Sequence, residues 1–189
     1  MAKYIISKTD LDQFGQFFGS IDNDTITLEN YQDTISYTIL GLSGQDSIVG
    51  GEGKDILFGM EGNDTILGRD NNDILYGNEG NDSLYGDYGY DTIYGGQGND
   101  IITENADLIL DFINSEDKIG LVGVTFEQLL ISEIQPQQID SIFGQGSVEE
   151  NFGTNITKFL KIESGGELLA VLGRDRDNFT LTANDFVII

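Results

Sequence analysis

Between residues 41 and 103 the apolar positions keep a period of nine. Ile48, Leu57, Ile66, Leu75, Leu84, Ile93 and Ile102 hold the same place in each cycle. A helix would repeat near 3.6 residues and a strand at 2.0, so neither period alone accounts for the spacing. The last three residues of each cycle read as a short strand, with the eighth residue inward and its neighbours outward. The first six are polar and glycine-rich, which predicts a turn. Seven units follow without a gap: GLSGQDSIV, GGEGKDILF, GMEGNDTIL, GRDNNDILY, GNEGNDSLY, GDYGYDTIY and GGQGNDIIT.

Three further positions are fixed in the cycle. The first is always glycine: Gly41, Gly50, Gly59, Gly68, Gly77, Gly86 and Gly95. The fourth is Gly44, Gly53, Gly62, Gly80, Gly89 or Gly98, with Asn71 as the exception. The sixth is always aspartate: Asp46, Asp55, Asp64, Asp73, Asp82, Asp91 and Asp100. Two units make one coil with a turn on each edge. Coils that stack through parallel strands, about 4.8 Å apart, bury the aliphatic column that no single coil could bury alone.

Charge changes the picture. The chain of 189 residues holds 33 acidic and 9 basic residues, a net charge of −24. Such a chain repels phosphate backbones and anionic lipids, which argues against nucleic acid and membrane insertion. It has neither cysteine nor histidine. Disulfides, thiolate metal sites, HExxH zinc chemistry and histidine general bases are therefore ruled out. Oxygen is the donor that remains, and hard cations such as calcium prefer it. Stacked coils would set aspartates of alternate units against one another, and a cation ligated by two carboxylates and several turn carbonyls relieves that repulsion.

The seven units resemble the RTX (repeats-in-toxin), or haemolysin-type, nonapeptide G-G-x-G-x-D-x-U-x. The resemblance implies an all-β fold, a right-handed parallel β-roll, with Ca2+ held by the glycines and aspartates named above. Units beginning at 41, 59, 77 and 95 share one edge and those at 50, 68 and 86 the other. That parity predicts about five calcium ions, with weaker sites on the edge that carries Asn71. It also stacks Phe58, Tyr76 and Tyr94 on one outer face, read chiefly as strand-to-strand packing and alternatively as a strip for a glycan or surface partner.

Flanking segments read less regularly. Residues 1–18 are expected to cap the roll, with "TDLDQFGQFF" as a short helix whose face carries Leu11, Phe14, Phe17 and Phe18. Residues 19–40 read as decayed coils: "GSIDNDTIT" keeps Asp24 in the sixth position, "LENYQDTIS" keeps Asp33 and Ile35, and "YTIL" stands as four extra residues. Residues 41–103 form the roll and 104–189 a β-rich C-terminal region. There "ADLILD" is a strand closing the last coil, and Asp111 is a candidate ligand of a terminal site. "TFEQLLIS" has a Thr-x-x-Gln capping pattern and predicts a short helix. The polar run from Pro136 to Asn155 is a loop, "TKFLKIE" and "ELLAVL" form a hairpin, and "LTANDFVII" ends in a strand.

The tail resembles the C-terminal region of secreted, particularly cyanobacterial, RTX proteins, which carries a type I secretion signal; a plain β-rich cap is the other reading. The opening residues lack a signal-peptide pattern. An extracellular or cell-surface location, reached through type I secretion machinery, is expected. Carboxylate pairs abound, but their period is accounted for by metal binding, so no enzyme activity is expected. Met1 and the cap-like start favour a complete small calcium-binding protein with a structural or interaction role. The alternative is the C-terminal secretion and folding module of a larger RTX enzyme, adhesin or toxin.

Overall fold

A computed structural model describes all residues except 1, 7–9, 13–14, 29–33, 104–106, 113–116, 122–125, 135–137, 140–157, 175–180 and 189. Its strands are β1 (Ala2–Ile6), β2 (Gln16–Phe18), β3 (Asp24–Leu28), β4 (Thr38–Ser43), β5 (Ser47–Val49), β6 (Ile56–Glu61), β7 (Thr65–Asp70), β8 (Ile74–Glu79) and β9 (Ser83–Tyr88). They continue with β10 (Thr92–Gln97), β11 (Ile101–Thr103), β12 (Asp107–Ile109), β13 (Lys118–Leu121), β14 (Leu129–Ile134), β15 (Lys158–Ser164), β16 (Glu167–Arg174) and β17 (Phe186–Ile188).

Successive strands alternate between two sheets through β13. The first sheet runs β1-β3-β5-β7-β9-β11-β13-β17, and the second runs β14-β15-β16-β12-β10-β8-β6-β4-β2. Pairing is parallel throughout the repeats: Ile48 lies beside Ile66 and Ile66 beside Leu84 in one sheet, Leu57 beside Leu75 and Leu75 beside Ile93 in the other. This is the β-roll the nine-residue clock predicts. All seven eighth-position residues are fully buried between the sheets. They form one continuous apolar cluster that reaches Ile26 and Phe17 at one end and Ile119 and Leu172 at the other. Among the described residues no helix is long and apolar enough to cross a membrane.

The outer aromatic column forms as the parity predicts. Phe58 stacks on Tyr76 with ring centroids 4.7 Å apart and planes 4° from parallel. Tyr76 stacks on Tyr94 at 4.7 Å and 6°. The three rings are half-buried, and Tyr94 packs against the buried cluster that Leu108, Leu110, Ile139, Phe159 and Val171 form in the C-terminal region.

Three local expectations are corrected. Gln16–Phe18 is a strand, not part of a helix: β2 pairs with β4, Phe17 against Ile39, so Phe17 turns inward while Phe18 faces out. Phe14 lies outside the described residues, as does Asp33. Second, "YTIL" is no insertion. Thr38, Ile39 and Leu40 pair with Ile56, Leu57 and Phe58, so Ile39 holds the inward eighth position and Tyr37 the sixth. The four extra residues lie upstream of Tyr37. Third, "TFEQLLIS" contributes a single 3-10 turn, Phe126–Gln128, and then β14, which pairs antiparallel with β15. A β-partner outweighs the helical capping pattern there. The expected hairpin is present as β15–β16. Its turn is Gly165–Gly166, with φ of 60° and 92°, values that glycine adopts without steric cost. β12 closes the last coil on β10, as expected. Most of the loop from Pro136 to Asn155 lies outside the described residues.

Candidate metal centre

Each sixth-position aspartate sits where a turn enters a strand, and the two edges of the roll gather them into two rows. The first row comprises Asp24, Asp46, Asp64, Asp82, Asp100 and Asp117, before or at the start of first-sheet strands. The second comprises Asp55, Asp73, Asp91 and Asp107, on the second-sheet side. No side chain in either row is more than 3% exposed.

Each row is strung on backbone amides. The Asp46 amide donates to Oδ1 of Asp64 at 2.7 Å, Asp64 to Asp82 at 2.8 Å, and Asp82 to Asp100 at 2.9 Å. On the other edge Asp55 donates to Asp73 and Asp73 to Asp91, both at 2.8 Å. One carboxylate oxygen per residue is thereby satisfied. The other is not: Oδ2 of Asp46, Asp64, Asp73, Asp82, Asp91 and Asp107 is buried and receives no hydrogen bond. A buried charged oxygen without a donor is costly unless something positive faces it. Asp55 differs, since its Oδ2 accepts the Gly51 amide at 2.8 Å.

The first-position glycines border these oxygens. A methyl group at Gly59 would stand 2.2 Å from Oδ2 of Asp64 and 2.9 Å from the Gly77 carbonyl oxygen. The same pair of neighbours, a carboxylate oxygen and a carbonyl two units on, recurs at Gly41, Gly50, Gly68 and Gly77. Glycine is required because any side chain would fill the space between the two oxygens. Among the described residues no three acidic side chains converge on one point. A cation held here would therefore draw on carbonyl oxygens as well as aspartates, a donor set that suits calcium.

The electrostatics agree. Burial, opposed by the amide from Asp24 and reinforced by neighbouring carboxylates, pushes Asp46 up to about 6. Burial raises Asp73 to about 8, with Asp91 and Asp55 adding repulsion. It also raises Asp82 and Asp91 to about 6. Asp55 and Asp64 move in the same direction, again through burial.

The candidate residues divide as follows. The seven repeat aspartates fall into the two predicted rows. Asp111 joins neither: its two oxygens accept the amides of Gly95 and Gly96, both at 2.8 Å. Beyond the repeats the rows instead extend through Asp107 and Asp117, which the nonapeptide pattern did not select, and before them through Asp24, the sixth-position aspartate of the decayed coil. Asp107 accepts the Asp91 amide at 3.2 Å and Asp117 accepts the Asp100 amide at 3.1 Å. Asp24 begins the first row, donating to Asp46 at 2.7 Å. The signal that would have found them is the short pattern Asp-x-Ile, as in Asp107-Leu-Ile109 and Asp117-Lys-Ile119. The fifth-position asparagines also have a place. Oδ1 of Asn63 accepts the Asn81 amide at 2.8 Å, and Oδ1 of Asn81 accepts that of Asn99 at 2.7 Å.

A family comparison points the same way. Residues 38–66 and 67–102 match the family described as the RTX calcium-binding nonapeptide repeat (4 copies). No curated protein matches the chain significantly. Among solved structures the chain is similar to the solution structure of the AlgE6R3 subunit from the Azotobacter vinelandii mannuronan C5-epimerase. That similarity has 20% identity and a TM-score of 0.35, and covers 89% of this chain and 80% of that one.

Proposed function

Residues 38–102 being RTX calcium-binding repeats in a β-roll, we propose that this chain is an exported calcium-binding protein whose roll closes only when calcium occupies the two aspartate rows. The observation that carries this reading is the set of buried Oδ2 oxygens that lack any donor. Asp46, Asp64, Asp82 and Asp100 would hold the ions of one edge, and Asp55, Asp73 and Asp91 those of the other. The carbonyls of Gly59, Gly68, Gly77, Gly86 and Gly95 complete the donor sets. Bound calcium supplies the positive charge that lets the rows approach. The chain's own residues do the rest: first-position glycines leave the oxygens unobstructed, backbone amides orient each carboxylate, and the aliphatic column excludes water.

The magnitudes allow a switch. A site with Kd near ~10⁻⁴ M adds roughly 1.4 kcal/mol at ~10⁻³ M calcium, provided the unfolded chain binds none. Five such sites add about 7 kcal/mol, comparable to the whole stability of a typical domain. In a calcium-poor cytosol the acidic chain stays expanded; in a calcium-rich exterior it folds. Export by a type I route, and a structural or interaction role outside the cell, are consistent with that division. No side-chain constellation described above requires the chain to be catalytic.

Circular dichroism in EGTA, followed by calcium, tests the reading. The expected outcome is a largely unfolded spectrum that becomes β-rich near millimolar calcium. A fully β-folded protein in EGTA overturns the switch.

A further inference from the structure

The second residue of the nonapeptide carries a backbone cost. Leu42, Met60, Arg69, Asn78 and Asp87 hold φ between 68° and 86°. Glycine adopts that left-handed region freely and most other residues do so rarely. Strained residues of this kind cluster where a ligand is held, so what their side chains border matters. They border two grooves, one on each edge of the roll. Met60, Asn78 and Gly96 line the first with Glu61, Glu79 and Gln97, around a space of about 380 Å³. Arg69 and Asp87 line the second with Glu52, Leu67, Asp70 and Tyr88, around about 330 Å³.

The grooves match in place and differ in chemistry. The first holds carboxylates and amides, with neither a cation nor a ring. The second holds a guanidinium, three carboxylates and a phenol ring. Arg69 pairs with Asp87, and Asp70 with Tyr88, across β7 and β9. The Asp70 amide donates to the Gly51 carbonyl at 3.2 Å, so three stacked turns fix the groove. Burial pushes the Asp87 carboxyl up, the Arg69 guanidinium pulls it down, and Asp70 adds to the push. Tyr88 is 74% exposed, so the core gains little from its ring.

A ligand here must accept from Arg69, donate to carboxylates and lay an apolar face on a phenol ring. An anion would meet an excess of carboxylates on a chain of net charge −24. A basic side chain would satisfy the carboxylates but share the space with the guanidinium, its like charge. A neutral sugar ring meets all three demands: its hydroxyls both donate and accept, and its C–H face packs on an aromatic ring.

We propose that Arg69, Asp70, Asp87 and Tyr88 form a saccharide-binding groove that takes one neutral hexose unit of a glycan. Tyr88 supplies the stacking surface, Arg69 the donors, and the two aspartates the acceptors. This goes beyond calcium binding and gives the interaction role above a surface and a class of partner.

The test uses the full chain in saturating calcium. Affinity electrophoresis and calorimetry follow its binding to dextran, mannan and galactan, with polygalacturonate as the anionic arm. At least one neutral polysaccharide is expected to bind, and polygalacturonate is not. Tyr88→Ala and Arg69→Gly should each weaken binding about tenfold or more. Both should keep the natural circular dichroism and calcium midpoint. Arg69→Gly should also melt no lower than the natural protein, because glycine relieves the left-handed backbone. A purely structural arginine would instead lower the melting point and leave binding intact. Glu79→Gln, in the first-edge groove, should bind as the natural protein does. The proposal is overturned if none of the three neutral polysaccharides binds, if polygalacturonate binds more tightly than they do, or if binding survives Tyr88→Ala. Should Arg69→Gly misfold, Tyr88→Ala decides, since that side chain is exposed. Folding in EGTA would overturn the calcium reading and not the groove, because every arm here keeps calcium present.

Discussion

The two edges of the roll are built from the same nonapeptide, yet they turn differently. On the first edge Gly44, Gly62, Gly80 and Gly98 adopt φ between 126° and 135°. The amides of Gly44, Gly62 and Gly80 donate to the carbonyls of Glu61, Glu79 and Gln97, each at 2.8 Å, so the parallel ladder continues through the bend. The asparagine ladder of Asn63, Asn81 and Asn99 runs beside it. On the second edge Gly53 and Gly89 keep φ outside the left-handed region, and Asn71 stands at 76°. There the Asn71 side chain donates to the Glu52 carbonyl at 2.7 Å. Both edges repeat the bond that follows each aspartate, such as Ile74 to the Asp55 carbonyl and Thr92 to that of Asp73, but only the first edge repeats the fourth-position bond. An aspartate row does not by itself define a turn: the same Gly-x-x-Gly-x-Asp spacing carries a left-handed fourth residue on one edge and not at Gly53 or Gly89 on the other.

The largest expected effect comes from the regular edge. Gly62→Ala places a methyl 1.5 Å from the Gly44 carbonyl oxygen, at a φ that side chains rarely adopt. It should cost about 3 kcal/mol or more and abolish calcium-induced folding at millimolar calcium, as read by circular dichroism. Next, Asp64→Asn should raise the calcium midpoint of folding about tenfold, whereas Asp73→Asn, on the irregular edge, should raise it only about threefold. Equal shifts would show that the edges bind alike.

Acidity gives a smaller effect, of opposite sign with and without metal. Asp46, Asp82 and Asp91 near 6 and Asp73 near 8 lie above their ordinary value of 3.8. Protons therefore bind the folded, metal-free roll more tightly than the unfolded chain. That stabilisation is complete below about 3.8 and is lost as pH rises through about 6 and then about 8. In EGTA, lowering pH from 8 to 5 should increase β-structure. In limiting calcium the same change should raise the calcium midpoint, because protons compete for the same oxygens. The smallest effect is expected of Asn71→Gly. It relieves a left-handed backbone but removes the bond to Glu52, leaving stability within about 1 kcal/mol by thermal melting.

Much of the roll is legible in the amino-acid sequence alone. The nine-residue period specifies the paired sheets, the buried column and the assignment of each aspartate to an edge, because stacking leaves a repeat no other way to bury its one aliphatic residue. The ends are less legible, since their pairing partners lie in neighbouring coils. Phe17 and Phe18 read as one helical face until β4 is there to pair with them. Tyr37 stands in an aspartate's place, so the register of Ile39 is visible only from its pairing with Leu57. Asp107 and Asp117 are obscured for a related reason. They hold their places without the preceding Gly-x-x-Gly, and only the coil beneath them shows that they belong to the rows.

The ring column on the second sheet makes the molecule its own spectroscopic gauge. The chain has no tryptophan, so near-ultraviolet absorption belongs to tyrosine and phenylalanine alone. Phe58, Tyr76 and Tyr94 each come from a different coil and lie face to face at the strand spacing. Excitonic coupling among them requires adjacent coils to be aligned, so it would report coil stacking separately from the gain of β-structure.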